Sequence, residues 1–436
     1  MIKKTKKIQD TKNLLGPLPK IDLPVPEYLY IAVTNGRCPK GDVFVQVGDH
    51  VNLYQVIGMR HGPFFEQPIH ATCSGTFEGL EKHYHRSGKL VDFIKIHNDF
   101  QDTPDEAAKE RTPEEIKALS KDEMTKIIEN CANVGLGGSS FPTHVKFQTK
   151  EEIKTILING IECEPYINAD HRLMLEEAEP LLEGIKLIQQ AFQCKDARIC
   201  VKKKYKDLLD YLGKEVAKDP DSGITVTPVG NFYPQGWELA MIKSATGIDV
   251  TPGTLPSKFG IINFNVSTVV GIYDAIRYNR PVIERNVTVN GDGIVKPANF
   301  RVRVGTPFQT LIDACGGYKD PEKPKAFIIG GPMMGGAVES DDVMVSKCVT
   351  SILVFNEEEA QEEPCIRCGS CILSCPTGLR PVEIMNAMKA MPVDKAKIKA
   401  LNPLKCIECG LCTYSCTSKI KVTDYIRRAK VVAKLP

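Results

Sequence analysis

The hydrophobic positions of residues 31–96 alternate with polar ones, and turn-forming residues interrupt them at short intervals. Val43, Val45 and Val47 show this period most clearly, just ahead of a Gly-Asp turn. Alternation with a period of two is typical of strands that bury one face. This region is therefore predicted to fold as a small all-β unit.

The pattern then becomes helical. Residues 98–121 are highly charged and are predicted to form a loop. Ser120 and Glu123 have the spacing of a capping box, in which two side chains satisfy backbone N–H groups at the start of a helix. Apolar residues follow at helical intervals as far as Ile128. A helix is therefore expected to begin after Ser120 and to run to Asn133.

Short runs rich in β-branched residues alternate with helical patterns through the middle of the chain. This rhythm is typical of an α/β layer, in which helices cover a central sheet. The predicted strands cover residues 155–159, 198–201, 224–229 and 259–264.

The character of the chain changes again near Arg285. A strand pattern ends at an Asn-Gly turn, and a second strand leads into a short helix that begins at Thr306-Pro307. Asn-Gly favours tight turns, and proline suits the first position of a helix. A small strand-helix-strand module is predicted here. The acidic stretch 356–363 is predicted to be a linker.

Eight of the sixteen cysteines form two copies of the spacing CxxCxxCxxxC near the C-terminal end. In two-cluster ferredoxins, three thiolates of each run ligate one four-iron cluster and the fourth ligates the other. We therefore expect two 4Fe-4S clusters and a role in moving single electrons. The expected ligand sets are Cys365, Cys368, Cys371 and Cys416 for one cluster, and Cys406, Cys409, Cys412 and Cys375 for the other.

Structural zinc and disulfides are the alternatives for these cysteines. Zinc also accepts four thiolates, but its sites usually pair two CxxC units, which leaves the third cysteine of each run without a role. Disulfides need an oxidising compartment. The repeated spacing favours clusters. The other eight cysteines are expected to be small buried hydrophobic residues, and His83 and His85 are expected to face solvent.

Length and composition limit the function further. A chain of 436 residues is expected to fold as two to four domains. The net charge of +2 gives no electrostatic reason to expect nucleic acid as a partner. No stretch reaches the roughly eighteen apolar residues of a membrane-spanning helix, and the N-terminus lacks the features of a signal peptide. Iron-sulfur assembly on reduced thiolates indicates a cytoplasmic location.

Two loops carry candidate binding chemistry. Residues 135–146 read GLGGSSFPTHVK, in which missing side chains expose backbone N–H groups that suit a phosphate. The loop is not a Walker loop, because no Gly-Lys-Ser/Thr closes it, and a simple turn is the alternative. Glu162 and Glu164 follow the predicted strand 155–159, at the strand end where α/β proteins bind ligands. A solvated acidic turn is the alternative there.

These loops belong to a longer set of motifs that resembles the RnfC family, the C subunits of the Rnf electron-transport complex. The motifs occur in the family's order across nearly the whole chain. They read GLGGSSFPTHVK, NGIECEPYINADHRLM, YPQGWELAMI, FNVST, GGPMMGG, CIRCGSCILSCPTGLRP and CIECGLCTYSC.

The family is similar to the flavin subunit of respiratory complex I, and this likeness implies an FMN bound by the glycine loop. It also implies NAD(H) as a substrate. No catalytic residue is assigned. The positions that the resemblance implies for cofactor binding are Gly135, Gly137, Gly138, Phe141, Lys146, Asn159, Glu162, Glu164, Asn265 and Thr268.

The resemblance implies a multidomain chain of mixed α/β and α+β class. Two half-motifs near the N-terminus resemble the barrel-sandwich hybrid of lipoyl carrier domains, without a clear counterpart of the modified lysine. The expected order is an N-terminal tail (1–25), a β barrel-sandwich hybrid (26–100), a central α/β FMN-binding domain with a leading helix (101–280), an SLBB β-grasp domain (281–355) and a helical ferredoxin-like domain with two clusters (356–436).

The implied function is electron exchange between NAD(H) and ferredoxin or a partner subunit, through FMN and two 4Fe-4S clusters. The partners would be other electron-transfer subunits, which would hold the chain on the inner face of the cell membrane. Trp237 replaces the second glycine of the family's YPQGG, and the N-terminus lacks the family's Gly-Gly-x-His-Pro-Pro. These departures keep two alternatives open: a paralogue that does not use NADH directly, and a non-enzymatic docking and electron-wiring subunit.

Overall fold

The computed structural model describes residues 18–356 and 361–435, together with residues 8, 11, 12 and 15. Its strands are β1 (Ile21–Asp22), β2 (Tyr28–Ala32), β3 (Lys40–Val43), β4 (His50–Val51), β5 (Val56–His61), β6 (Glu66–His70), β7 (Gly75–Tyr84), β8 (Leu90–Asn98), β9 (Thr155–Asn159), β10 (Ala197–Lys202), β11 (Ile224–Val229), β12 (Ile261–Asn265), β13 (Glu284–Asn290), β14 (Ala298–Arg303), β15 (Lys325–Ile329), β16 (Gly336–Val338) and β17 (Ser351–Asn356).

The helices follow the same order along the chain, and short 3₁₀ turns lie at Pro220–Ser222, Pro256–Phe259 and Pro403–Lys405. They are α1 (Pro113–Ala118), α2 (Lys121–Asn130), α3 (Thr143–Phe147), α4 (Ala169–Glu176), α5 (Ala178–Phe192), α6 (Lys206–Val216), α7 (Glu238–Thr246), α8 (Val266–Tyr278), α9 (Phe308–Ala314), α10 (Ser370–Leu373), α11 (Pro381–Lys389), α12 (Lys395–Ala400), α13 (Leu411–Tyr414) and α14 (Val422–Lys434).

The first unit is all-β, as its alternating pattern predicts. One sheet has the strand order β2-β8-β7-β4 and the other has the order β3-β5-β6. Their facing sides bury a core that includes Leu29, Ile57 and Ile94. The valine alternation did not locate its strand correctly, since β3 ends at Val43 and Val47 is 72 % exposed.

The expectation that His83 and His85 face solvent is wrong. His85 is only 7 % exposed, and the side chain of His83 is 13 % exposed with Nδ1 lying 2.8 Å from a carboxylate oxygen of Asp342. Strand β7 is long and continues past the barrel to meet the chain around Val343, through a bridge at Tyr84. The packing of this second surface against β7 buries positions that a two-layer barrel would leave in water.

Helix α2 begins as its capping box predicts, with Ser120 accepting from the backbone of Glu123. It ends at Asn130, three residues before the predicted end, because Ala132 adopts a positive φ of 48°. The prediction of a loop before it is also incomplete, since residues 113–118 form α1 with a capping box of its own. Helix α1 buries no residue, so its sequence carries no apolar period.

The central layer is a parallel sheet of strand order β11-β10-β9-β12. The predicted strands 155–159 and 224–229 match β9 and β11, whereas residues 259 and 260 precede β12 in a 3₁₀ turn and its cap. Helices α5 and α8 pack against the sheet through a large core that includes Ile156, Ile185 and Ile272. All four strands point the same way, so their carboxyl ends share one edge.

The β-grasp unit is built on a six-stranded sheet of order β1-β14-β13-β17-β15-β16, with α9 packed on its core. Strand β13 ends at the predicted Asn-Gly turn, and α9 starts after Pro307. Edge strand β1 comes from the predicted N-terminal tail and pairs in parallel with β14, Ile21 opposite Phe300. Part of that tail is therefore built into a sheet formed nearly 300 residues later.

The C-terminal unit is helical. Helices α11, α12 and α14 pack around Ile384, Ile398 and Ile426, together with several of the motif cysteines. The predicted acidic linker lies partly outside the described residues, which resume at residue 361 in irregular backbone. Within the described ranges, no helix has both the length and the apolar character that crossing a bilayer requires.

Candidate functional site

The site begins at the carboxyl edge of the parallel sheet. The strand register places Asn159, the last residue of β9, beside Asn265, the last residue of β12. Asn265 caps helix α8 by accepting from the N–H of Ser267 at 3.0 Å, and its Nδ2 donates to Oδ2 of Asp170 at 2.7 Å. Both amide side chains are therefore held at the strand ends by the backbone and by a buried carboxylate.

The glycine loop folds over this edge. Its neck is closed where the N–H of Gly135 donates to the carbonyl of Phe141 at 2.8 Å, and the N–H of Leu136 donates to Oγ1 of Thr268 at 2.9 Å. A Cβ on Gly137 would lie 3.0 Å from Nδ2 of Asn265, and Gly138 adopts a φ of +100° with open space beside it. The glycines therefore permit a close approach to Asn265 and leave room where a ligand can reach backbone amides.

Lys146 and Phe141 flank the loop. Lys146 projects from α3 and donates to the carbonyl of Asn263 on β12 at 2.7 Å, and burial lowers the pKa of this lysine. Phe141 is half-buried, with the guanidinium of Arg37 5.5 Å from its ring centre. The loop thus offers a cation on its inner side and an aromatic ring where the barrel unit meets it.

Glu162 is buried in the acidic loop after β9. Its side chain is 6 % exposed, accepts from the N–H of Asp170 at 2.9 Å, and lies 3.5 Å from Nζ of Lys12. Lys12 also donates to the carbonyl of Glu162 at 2.8 Å. Burial raises the pKa of Glu162 to about 7, although Lys12 opposes the shift. This carboxyl group is therefore poised to exchange a proton near neutral pH.

Glu164 points in another direction, toward the C-terminal unit. Its Oε2 accepts from the N–H of Met333 at 3.0 Å, and its Oε1 lies 3.1 Å from the hydroxyl of Tyr233. A Cβ on Gly331 would overlap the carboxylate, at 1.9 Å from Oε2. The GGPMMGG segment therefore needs a glycine at position 331 to let the carboxylate of Glu164 reach the backbone N–H of Met333. Burial raises the pKa of Glu164.

Tyr233 joins the acidic loop to the cysteine motifs. Its hydroxyl donates to the carbonyl of Cys409 at 2.9 Å, and its ring is 1 % exposed. Cys409 packs in one cluster with Tyr233, Cys163 and Met333. The second cysteine motif is thus in direct contact with residues that surround Glu164.

The structure brings one of the two predicted sets of cysteines together. Four of them line one small cavity beneath α13: Cys375, Cys406, Cys409 and Cys412. Cys375 comes from the first motif and the other three come from the second, which is the crossed arrangement of two-cluster ferredoxins. Burial raises the pKa of Cys409 to about 12 and that of Cys412 to about 11, so cationic iron is the partner that would make these thiols thiolates.

The remaining set is more exposed. Hydrogen bonds from Ser370, and to a smaller extent from Thr417, lower the pKa of the Cys368 thiol. Nearby, the Ser418 hydroxyl donates to the carbonyl of Pro364 at 3.0 Å. These contacts bring the chain around Cys416 to the start of the first motif. Over residues 18–356 and 361–435, no three His, Cys, Asp or Glu side chains converge on a single metal ion. Four thiols around a shared cavity suit a multi-iron cluster instead.

Comparison with known proteins assigns each of these units. Domain models match residues 3–101 (RnfC Barrel sandwich hybrid domain), 128–274 (Nuo51 FMN-binding domain), 286–337 (SLBB domain) and 358–417 (4Fe-4S dicluster domain). The predicted fold class and the predicted FMN and two 4Fe-4S clusters are confirmed.

Curated relatives share most of the chain. The C subunit of the Na(+)-translocating ferredoxin:NAD(+) oxidoreductase complex of Acetobacterium woodii is 36 % identical over 345 residues, which are 78 % of this chain and 76 % of that protein. The C subunit of the proton-translocating complex of Clostridium ljungdahlii is 34 % identical over 379 residues, 85 % and 81 % of the two chains. The chain belongs to the RnfC family.

A further RnfC-family relative, the C subunit of the ion-translocating oxidoreductase complex of Rhodobacter capsulatus, is 33 % identical over 380 residues, covering 83 % of this chain and 70 % of that protein. Among solved structures, the NAD+-reducing [NiFe]-hydrogenase in its H2-reduced state is similar, with a TM-score of 0.52 at 14 % identity. The match covers 73 % of this chain and 61 % of the hydrogenase chain, and at this identity it shows the fold alone.

As an electron-transfer flavin and iron-sulfur protein of the RnfC family, this chain has a site with several residues that sequence patterns did not assign. They are Lys12, Asp170, Lys202, Tyr233 and Met333. The paired glycines of GGPMMGG indicate that another group packs closely against the backbone there, but the sequence does not identify that group as Glu164. Of the other eight cysteines, seven are buried as expected, and Cys163 is half-buried beside Glu162 and Glu164.

Proposed function

We propose that this chain exchanges electrons between NAD(H) and ferredoxin or a partner subunit, through FMN at the glycine loop and two 4Fe-4S clusters. The observation that carries the proposal is the Tyr233 hydroxyl, which contacts both Glu164 in the acidic loop and Cys409 in the second cysteine motif. The relatives named as ferredoxin:NAD(+) oxidoreductase subunits support the choice of substrates.

The residues around the glycine loop fit an FMN. Backbone amides at Gly137 and Gly138 would receive its phosphate, at the end of the loop that approaches the start of α8. Lys146, Asn159 and Asn265 would supply polar contacts to the ring system. FMN, when bound, supplies the conversion between hydride pairs and single electrons. The part of the chain would be to position this chemistry.

The acidic loop would handle protons. Glu162 has a pKa of about 7 and can hold or release a proton as the charge beside it changes. Lys12 stabilises the carboxylate form of Glu162. Nζ of Lys202 lies 3.4 Å from the carbonyl oxygen of Glu162, and burial lowers the pKa of this lysine to about 8. These groups would keep the net charge of the pocket close to constant during reduction.

The two sets of cysteine thiolates would hold two clusters that carry electrons in sequence. Cys375, Cys406, Cys409 and Cys412 would hold the cluster next to the acidic loop, and Cys365, Cys368, Cys371 and Cys416 would hold the outer one. Ile366 and Leu373 flank ligands of the outer set and are 68 % and 78 % exposed. Exposed apolar side chains beside an outer cluster suit docking of a partner, such as ferredoxin or another subunit on the inner face of the cell membrane.

An anaerobic titration of reconstituted protein tests the proposal. Flavin and iron are quantified first, and NADH is then added while flavin and cluster absorbance are followed. Bleaching of the flavin followed by cluster reduction is expected. Reconstituted protein that retains no FMN would contradict the proposal. It would favour a non-enzymatic docking and electron-transfer role in which only the clusters are redox-active.

A second candidate is the same relay without direct use of NADH, and Trp237 favours it. Trp237 is half-buried at the start of α7 and packs, as Cys163 does, against the core that includes Leu157 and Leu239. An indole in this loop would narrow the approach of a nicotinamide to the acidic loop. Flavin that is bleached by NADH only in the Trp237→Gly variant would establish this alternative, and rapid bleaching of the unaltered protein would reject it.

A further inference from the structure

A second cavity borders the glycine loop at Ser139 and Ser140. It has a volume of about 490 Å³ and is lined by residues of the barrel unit, by the glycine loop and by the segment 344–348 ahead of β17. The ten residues assigned to cofactor binding are not among its lining residues. The cavity is therefore separate from the flavin site, although the two share the glycine loop as a wall.

The lining of this cavity is rich in basic side chains. Its basic residues are Arg37, Arg60, His70, His85, Arg86 and Lys347, and no aspartate or glutamate is among the described residues that line it. Arg60 is 8 % exposed and donates to the carbonyl of Ala32 at 3.2 Å, while Lys347 donates to the carbonyl of Ala132 at 3.1 Å. Neither of these two cations has a carboxylate partner in the described chain.

Polar groups in the same wall are also unsatisfied. Nδ1 of His70, Oγ1 of Thr72 and Oγ of Ser346 are buried, and each lacks a hydrogen-bond partner among the described residues. His70 and Thr72 are 7 % and 2 % exposed. Buried polar groups are nearly always paired, so three such atoms around one cavity indicate a missing partner rather than a tolerated defect.

Burial of these basic groups shifts their pKa values toward the neutral form. Burial, with Arg60 nearby, lowers the pKa of Lys347 to about 7, and burial beside Arg86 and Arg60 lowers the pKa of His85 to about 4. Burial also lowers the pKa of His70. A bound anion would reverse these shifts, since an opposite charge favours the charged form.

We propose that this cavity binds an organic phosphate, with the phosphate groups between Arg60, Lys347 and His70 and the organic part on the apolar wall. Tyr30, Phe93 and Met344 form that wall. The volume is in the range of sites for molecules of nucleotide size. Arginine and lysine without carboxylate partners are the usual counter-ions of phosphate.

The position of the site has a consequence for the flavin loop. Arg86 donates to Oγ of Ser140 at 3.0 Å, and Arg37 donates to the carbonyl of Ser139 at 2.8 Å. Both arginines line the cavity. A phosphate that draws these guanidinium groups inward would act on the outer half of the glycine loop without contacting the flavin.

Isothermal titration calorimetry of the full reconstituted chain tests the proposal. The probes are ADP, pyrophosphate and citrate, so that a nucleotide, a bare phosphate and a carboxylate are distinguished. One ADP or pyrophosphate per chain is expected. The Lys347→Gln and Arg60→Gln variants are expected to weaken binding about tenfold or more each, with unchanged FMN content. Lys40→Gln, an exposed charge on β3 of the same barrel, is the matched control and is expected to bind as the parent does.

Proton linkage gives a second readout. Arg60, His70, Cys131 and Cys348 are the titratable or charged groups near Lys347. At pH 8 the empty site holds Lys347 mostly neutral, so binding should take up a proton from buffer, and the Lys347→Gln variant should lose this uptake. Absence of binding by ADP and pyrophosphate up to about 1 mM, or binding that both variants leave unchanged, would overturn the proposal. Preference for citrate over both phosphates would also overturn it.

Discussion

The hydroxyl of Tyr233 donates to the carbonyl oxygen of Cys409 at 2.9 Å. The same hydroxyl lies 3.1 Å from Oε1 of Glu164. A phenol has one hydrogen to donate, so both contacts are satisfied together only when the carboxyl group of Glu164 carries a proton and donates in turn. Burial raises the pKa of Glu164 in the direction that this arrangement requires. A neutral Glu164 would thus be coupled to the cluster through one phenol.

Tyr233→Phe is expected to lower the reduction potential of the cluster held by Cys406, Cys409, Cys412 and Cys375. The hydroxyl withdraws electron density from the carbonyl of a ligand residue, and hydrogen bonds of this kind tune cluster potentials. A hydrogen bond worth about 1 kcal/mol corresponds to at most about 40 mV for a one-electron couple. Redox titration monitored by electron paramagnetic resonance measures the shift.

The control for this variant is Tyr211→Phe, which makes the same change on α6, where Tyr211 packs against the core of the α/β layer. It should leave both cluster potentials where they are. Equal potentials in the parent and in Tyr233→Phe would show that the hydroxyl is structural only. Loss of the cluster in Tyr233→Phe would also contradict the expectation, because the buried ring that fills the space is retained.

Cys375→Ser and Cys371→Ser should affect different clusters, although both residues belong to the first motif. Cys375 lines the cavity of the second motif, so its loss should remove the cluster next to the acidic loop and should interrupt reduction of the outer one. Cys371→Ser should instead remove the outer cluster and leave reduction of the inner one intact. Each variant should retain about four of the eight irons expected for two clusters.

Iron analysis and electron paramagnetic resonance after NADH addition separate these outcomes. Cys315→Ser, a change of a buried cysteine at the C-terminal end of α9, is the matched control and should keep the full iron content. Identical spectra for Cys375→Ser and Cys371→Ser would mean that each motif ligates its own cluster and that the crossed assignment is wrong.

Much of this site could be predicted because its parts are local in sequence. The capping box at Ser120, the strand that ends at Asn159 and the two cysteine runs each occupy fewer than about a dozen consecutive residues, and short-range patterns report such features. The contacts that connect them could not be predicted. Tyr233 and Cys409 are 176 positions apart, and Lys12 and Glu162 are 150 apart. Hydrogen bonds between residues this far apart produce no periodic pattern and no fixed motif spacing from which they could be predicted.

Local signals also failed where tertiary packing decided the outcome. Helix α1 has a complete capping box but no buried residue, so its charged sequence indicated a loop. His83 and His85 follow the exposed rhythm of a barrel strand, yet β7 meets the chain around Val343 there. Residues 21 and 22 form the edge of the β-grasp sheet, but a two-residue strand is too short for its sequence to predict that it pairs with β14.

Gly137→Ala is expected to weaken FMN binding by about tenfold or more. The added Cβ would lie 3.0 Å from Nδ2 of Asn265, a residue that caps α8 and holds Asp170. Displacing a capping asparagine costs about 1 kcal/mol of stability. Fluorescence titration of apoprotein with FMN measures the affinity, and urea unfolding measures the stability.

Gly213→Ala is the matched control for that variant. Gly213 lies inside α6 and has open space where a Cβ would be, so alanine there should stabilise the helix by about 0.5 to 1 kcal/mol without changing FMN affinity. Equal FMN affinity in Gly137→Ala and Gly213→Ala would show that the glycine loop does not contact the flavin.

Glu162 should make the stability of the α/β layer depend on pH. Its folded pKa of about 7 lies above the ordinary value of 4.5, so the protonated form is favoured in the fold. The stabilisation is complete below pH 4.5 and is lost as the pH rises through 7. Glu162→Gln removes the titrating group, so its free energy of unfolding should fall less than that of the parent between pH 5 and pH 8, by about 1 to 3 kcal/mol.

Urea unfolding followed by the fluorescence of Trp237, the one tryptophan of the chain, reports on this layer directly. Lys12→Met provides the opposite test, because Lys12 holds the pKa of Glu162 down. Without that ammonium group the pKa should rise further, and the loss of stability toward pH 8 should become steeper than in the parent. A flatter profile in Lys12→Met, or a profile in Glu162→Gln as steep as the parent's, would show that another group titrates in this range.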